Sequence, residues 1–286
     1  MKKMTRRDFL KWSVAASGAL ALNTSQIHSD ILENDNAPIL WLQGAGCTGC
    51  SISTLNVSNP ATIDIVLLSA VSMKFNNTVM ALSGEQAMAS LKEAAERYKG
   101  EFILVIEGAV PTRDNGNYCI IGEENGNYLT MLQAVRQYGP LARYVVSTGT
   151  CASFGGMAAA PPNDSESVPV IQALTNPVNQ VINLPGCPVH PTVVIQTLID
   201  IVTSGMPMLD NENRPVKFYS ETVHDSCNPD RCFWSEGCKG PDTLNVCSSL
   251  MWNKTLCTYP GYPCIGCASP DFPTNPLIDS IVSEEG

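Results

Sequence analysis

The chain has 286 residues, 44% of them hydrophobic and only 15% charged, which excludes a disordered chain and leaves enough apolar surface for one large domain or two modest ones. A formal net charge of −10 argues against nucleic-acid binding through the phosphate backbone, and no uninterrupted apolar run reaches the roughly eighteen residues of a membrane span. Twelve cysteines are many for an ordinary domain but too few for a small disulfide scaffold.

Residues 5–11 read Thr-Arg-Arg-Asp-Phe-Leu-Lys, followed by a mildly apolar stretch from Trp12 to Leu22. A charged start, a short apolar region and small residues for cleavage are the layout of a secretion signal. The pair Arg6-Arg7 with Phe9, Leu10 and Lys11 resembles a twin-arginine signal, a route that carries proteins already folded. Residues 1–37 are therefore predicted to be signal and linker, with Ala19–Ala21 as one cleavage site. Cleavage there would remove five basic residues and one acid, leaving a charge of −14. Such an acidic body favours basic partners.

From Pro38 onward, strand-like runs alternate with helical patterns. Pro38–Leu42, Ile63–Leu68, Phe102–Ile106, Tyr144–Ser147 and Val181–Leu184 read as strands. Glu85–Tyr98, stopped by Gly100, reads as a helix, as do Leu129–Tyr138 and Thr192–Thr203. This alternation predicts an α/β domain over residues 38–210, a doubly wound parallel sheet with helices on both faces. Gly44–Cys47, Glu107-Gly108, Gly149–Cys151 and Pro185–Cys187 each follow the carboxyl end of a predicted strand, the edge at which open α/β sheets bind ligands. Residues 211–286 are different: seven of the twelve cysteines lie between Cys227 and Cys267, among Pro, Gly, Asn and Trp with little periodicity. Bound metal could organise a segment so poor in regular structure.

The cysteines sort by spacing. Cys47-Thr-Gly-Cys50 lies in a glycine-rich loop, whose amides can donate to inorganic sulfide. Cys151 and Cys187, on neighbouring loops, complete a set of four. A second set is His224, Cys227, Cys232 and Cys238; His224 is one of three histidines, and three cysteines in the next fourteen residues point to ligation. Cys247, Cys257, Cys264 and Cys267 form a third. Cys119 remains over, a buried structural thiol. Sets of this composition also suit zinc, and an exported chain can form disulfides. Export after folding favours iron–sulfur clusters assembled inside the cell.

Seven motifs in order carry a resemblance: Trp41-Leu-Gln-Gly-Ala-Gly-Cys-Thr-Gly-Cys50, Glu107-Gly-Ala-Val-Pro111, Gly149-Thr-Cys-Ala-Ser-Phe-Gly-Gly156, Pro185-Gly-Cys-Pro188, His224-x-x-Cys227, Gly237-Cys-Lys-Gly-Pro241 and Pro263-Cys-Ile-Gly-Cys-Ala-Ser-Pro-Asp-Phe272. With them the chain resembles the small subunits of periplasmic NiFe and NiFeSe hydrogenases, from the twin-arginine signal to Pro273. The resemblance implies a flavodoxin-like amino-terminal domain, a small irregular cluster-binding carboxyl-terminal domain, and three iron–sulfur clusters in line. By position, Cys47, Cys50, Cys151 and Cys187 would hold the proximal cluster, facing the nickel–iron centre of a large subunit. His224, Cys227, Cys232 and Cys238 would hold the distal cluster, and Cys247, Cys257, Cys264 and Cys267 the medial one. The chain would relay electrons to an external acceptor, a multihaem cytochrome c, from the periplasm. Rival readings are a hydrogen-sensing complex, or a secreted zinc or disulfide protein without redox function.

Departures from the family pattern sharpen these expectations. Many members have proline where this chain has Cys257, so the medial cluster is expected to be 4Fe-4S, as in the selenium-containing branch. The stretch between Cys227 and Cys232 is shorter than usual. Gly49 and Gly156 stand where oxygen-tolerant members carry extra cysteines, which implies an ordinary 4Fe-4S proximal cluster and oxygen sensitivity. The sequence ends at Ser283-Glu-Glu-Gly286 without the anchor helix of membrane-bound members.

Overall fold

The computed structural model describes residues 36–124, 126–175, 181–227, 232–252 and 255–273. The signal, its cleavage site and the chain end fall outside them. Strand β1 (Ala37–Gln43) is followed by helices α1 (Gly49–Leu55) and α2 (Ile63–Ser69), strand β2 (Val71–Asn76), helix α3 (Gly84–Arg97) and strand β3 (Ile103–Glu107). A short strand β4 (Val110–Pro111) and a hairpin of β5 (Ile120–Glu124) and β6 (Asn127–Thr130) lead into α4 (Met131–Tyr138). Then come β7 (Tyr144–Thr148), α5 (Thr150–Phe154), β8 (Ser167–Val168), α6 (Val170–Ala173), β9 (Val181–Leu184) and α7 (Pro191–Ser204).

Five strands form one parallel sheet in the order β2-β1-β3-β7-β9. This is the flavodoxin-like order, whose direction reverses between β1 and β3. Side-chain alternation along β1 explains why both faces are covered: Ile39 and Trp41 enter a core with α1, α2 and α7, while Leu40 and Leu42 enter a second core with α3 and α4. Register aligns Gln43 with Glu107, Glu107 with Thr148 and Thr148 with Leu184. Four loops therefore leave one edge of the sheet at the same level.

Two assignments from the sequence need correction. Ile63–Leu68 was expected as a strand, but Ile63–Ser69 is the helix α2. Thr62 precedes it in extended conformation without capping it, and the Asp64 carboxylate in the first turn accepts from the Thr62 hydroxyl and the Ile65 amide, a favourable acidic start that a short apolar run conceals. The strand is instead Val71–Asn76, where Val71, Met73 and Phe75 alternate with Ser72, Lys74 and Asn76, as befits the edge of the sheet. The helix expected from Leu129 starts at Met131, because Thr130 caps it through a reciprocal bond with Gln133. The preceding hairpin is an element that the apolar runs do not reveal, although Asn125-Gly126 is a turn dipeptide.

Beyond Ser204 no described element exceeds four residues: α8 (Val216–Tyr219), α9 (Val223–Ser226), α10 (Cys247–Leu250) and single turns. This segment is seated on the sheet domain by specific contacts. Tyr219 donates its hydroxyl to the Pro185 carbonyl at 2.9 Å. His190, which accepts the Thr192 amide at the start of α7, bonds the Met251 carbonyl through Nε2 at 3.0 Å and meets Trp252 edge-on. Among the described residues no helix is long and apolar enough to cross a membrane.

Candidate metal centres

The first set of thiols gathers at the carboxyl edge of the sheet, beside the reversal of strand order. Cys47 follows β1, Cys50 lies in the first turn of α1, Cys151 in the first turn of α5, and Cys187 in the loop after β9. Burial pushes the Cys50 thiol far up, with Glu107, Cys151 and Cys187 adding to it. Burial likewise raises Cys187 to about 11, with Cys151, Cys267 and Cys47 contributing. As thiolates these four would repel one another, and a cationic metal centre would let them ionise together.

The scaffold around this set exists apart from the thiols. The Glu107 carboxylate, 3% exposed, accepts the Cys50 amide at 2.9 Å, the Ser51 amide at 3.0 Å, the Ser51 hydroxyl and the Trp41 indole. It therefore fixes the start of α1, which carries Cys50. Between the two cysteines, Thr48 sits at φ +64°, unusual for a β-branched residue. Gln43 donates to its hydroxyl and accepts from Thr78 at 2.9 Å, tying the loop to the end of β2. Gly149, at φ +87°, leaves room that a Cβ would take from the Cys50 sulfur. Gly49 and Gly156 also lie against thiols of this set, those of Cys47 and Cys151.

Cys247, Cys257, Cys264 and Cys267 form the second gathering. Burial raises both Cys247 and Cys264 to about 12, and in each case Cys267 and Cys257 push further in the same direction. The third set surrounds a cavity of about 190 Å³ lined by His224, Cys227, Cys232 and Cys238, with Phe233 and the exposed Trp234 beside them. All four residues expected there from sequence meet in this one space. Among the described residues, no three His, Cys, Asp or Glu side chains are grouped to hold a single metal ion. None of the twelve cysteines is in a disulfide. Cys119 stands apart, packed against the core that contains α3 and α4, its thiol raised by burial. The sequence marked Glu107 only as part of a strand-end loop; its anchoring role, and those of Gln43 and Thr48, depend on contacts that spacing does not show.

Residues 210–278 match the family defined by the C-terminal part of NiFe/NiFeSe hydrogenase small subunits, and residues 47–201 match the NADH ubiquinone oxidoreductase 20 Kd subunit family. Along its length the chain is 36% identical to the periplasmic NiFeSe hydrogenase small subunit of Desulfomicrobium baculatum, covering 94% of this chain and 96% of that one. This chain belongs to the hydrogenase small subunits. The uptake hydrogenase small subunit of Afipia carboxidovorans is also 36% identical, over 94% of this chain and 78% of its own. The solved structure of a reduced, active form of the Ni-Fe-Se hydrogenase from Desulfomicrobium baculatum superposes with a TM-score of 0.78, at 36% identity, over 84% of this chain and 96% of that chain. Residues 3–22 match the twin-arginine translocation signal, so the protein is exported by that route. A small subunit pairs with a large one to make an oxidoreductase, and the family carries iron–sulfur clusters here and the nickel–iron site in the partner. The donor chemistry fits: each set offers four soft or imidazole ligands, and glycines lie against three thiols of the first set.

Proposed function

We propose that this small subunit relays electrons in the periplasm through three 4Fe-4S clusters, between the nickel–iron site of its large subunit and an external multihaem cytochrome c. The observation that carries the reading is the mutual reach of the three sets. Thr150, beside Cys151 of the first set, bonds the carbonyl of Cys267 of the second, and Cys264 of the second lines the cavity of the third, where the Cys227 sulfur meets the hydroxyl of Thr258 beside Cys257. Three redox groups held this way form a file rather than three separate sites.

Cys47, Cys50, Cys151 and Cys187 would hold the proximal cluster, Cys247, Cys257, Cys264 and Cys267 the medial, and His224, Cys227, Cys232 and Cys238 the distal. The bound clusters supply reversible one-electron chemistry that the side chains lack. The chain's own residues set the terms: Glu107 orients the proximal loop, and burial keeps water from the Cys50 and Cys264 sulfurs. His224 replaces a thiolate with a neutral imidazole, which raises the potential of the last group before the acceptor. Cys257 supplies a fourth medial thiolate, and Gly49 and Gly156 leave the proximal cluster without extra ligands. In domain terms, residues 38–210 carry the proximal set and 211–286 the other two. The acidic chain favours a basic acceptor.

Iron and acid-labile sulfide in the anaerobically purified complex test this reading, alongside its electron paramagnetic resonance spectrum. Three 4Fe-4S clusters predict about twelve irons in this chain, with no oxidised three-iron signal. A three-iron signal would remove Cys257 as a ligand. A colourless complex with zinc in place of iron would overturn the relay.

A further inference from the structure

Thr54 and Thr203 bond carbonyls one turn back in their own helices, those of Cys50 and Ile199. Two other buried threonines do otherwise. Thr150, 1% exposed, precedes Cys151 of the first set. Its Oγ1 accepts the Gly186 amide at 2.8 Å and donates to the carbonyl of Cys267, in the second set. Thr258, 3% exposed, follows Cys257 of the second set, and its Oγ1 lies 3.2 Å from the Sγ of Cys227, in the third. Each hydroxyl is thus one residue from a thiol of one set and bonded to a member of the next. The bonds span 117 and 31 residues of sequence, so neither follows from local chain geometry.

Resting on the relay reading above, we propose that Thr150 and Thr258 are positioning residues that couple neighbouring clusters for electron transfer. A thiolate on iron can only accept a hydrogen bond, so Thr258 donates to Cys227. Donation to a cluster sulfur stabilises the more negative, reduced state and raises the distal potential. The Thr150 hydroxyl bonds two backbone groups instead. It fixes the Cys267 backbone against the loop of Gly186 and Cys187, where the Cys187 backbone also bonds the Cys267 thiol. Electronic coupling falls more steeply across a gap than along bonds, so this seam governs how fast an electron crosses. The step moves one electron: the donor cluster is oxidised by one unit, the acceptor reduced by one, and no proton or group is transferred.

The test compares Thr150→Val, Thr150→Ser, Thr258→Val and Thr258→Ser in the purified heterodimer, after iron content and resonance spectra are recorded for each. With iron intact, Thr258→Val should lower the distal potential in a redox titration, and serine should restore it. Thr150→Val should slow electron passage from proximal to medial cluster several-fold after rapid reduction, again with rescue by serine. Wild-type behaviour of either valine variant with its iron intact would overturn the proposal for that threonine. Iron lost in the valine variant and regained with serine would make the hydroxyl a folding element and overturn it equally. A wild-type complex without iron would defeat the relay reading itself, which no variant result can do.

Discussion

At the edge of the sheet, Cys50 stands on a frame that needs no metal: a buried carboxylate holds its amide, and strands aligned in register carry its neighbours. Past residue 204, Cys247, Cys257, Cys264 and Cys267 stand on turns and four-residue helices, and the third set surrounds a cavity. One region presents ligands from a hydrophobic core; the other presents them from turns and short helices with little regular structure around them. The difference teaches that the same donor chemistry can be either an addition to a fold or the cause of one.

Removing the metal should break this comparison most visibly. Structural metal sites in small domains are worth on the order of 10 kcal/mol. Chain produced without iron should therefore be cut by protease first beyond residue 205, while the segment 38–204 survives. Equal resistance of the two regions would show that the carboxyl-terminal segment folds on its own contacts.

Glu107→Ala comes next. It leaves two buried amides and the Trp41 indole without their acceptor, at a cost of about 1–3 kcal/mol for each buried donor. The expected result is loss or distortion of the proximal resonance signal alone, with the other two clusters retained. Uniform loss of all iron would show that the two regions are not independent. Cys257→Pro sharpens the contrast from the other side: a three-iron medial signal and a raised potential are expected, with the sheet domain's thermal stability unchanged. An unaltered resonance spectrum would remove Cys257 from the ligand set.

The smallest effect concerns His190, at the join of the two regions. Burial lowers its pKa from the ordinary 6.5, the neutral ring accepting the Thr192 amide and bonding Met251 O. Above pH 6.5 folded and unfolded forms are both neutral and stability should not vary on its account. As pH falls below that value the unfolded chain takes up the proton first, so stability declines until the folded form also protonates. Unfolding midpoints between pH 8 and 5 should show this decline, and His190→Gln should remove it.

Much of the sheet domain was legible because it obeys periodicity. β3, β7, β9 and α7 fall where their apolar runs predict, because strands buried on both faces read as continuous hydrophobic stretches. β2 was not, since its apolar Val71, Met73 and Phe75 alternate with polar residues, and the apolar run just before it belongs to the helix α2. The gathering of Cys47, Cys50, Cys151 and Cys187 could be foreseen from loops that follow strand ends. Glu107, Thr150 and Thr258 could not be assigned roles, because a hydrogen bond spanning 117 residues leaves no mark in local spacing.

By itself the sequence determined the inventory: the α/β alternation, the export signal, the three groups of thiols and the family they belong to. These are one-dimensional properties, fixed by period, spacing and residue type. The tertiary structure decided which groups touch. Register brought Gln43, Glu107, Thr148 and Leu184 level, the fold turned a carboxylate toward the Cys50 amide, and two hydroxyls came to lie between thiol sets distant along the chain. Such contacts depend on how a whole chain closes on itself, because a strand's register places every loop at its end at once.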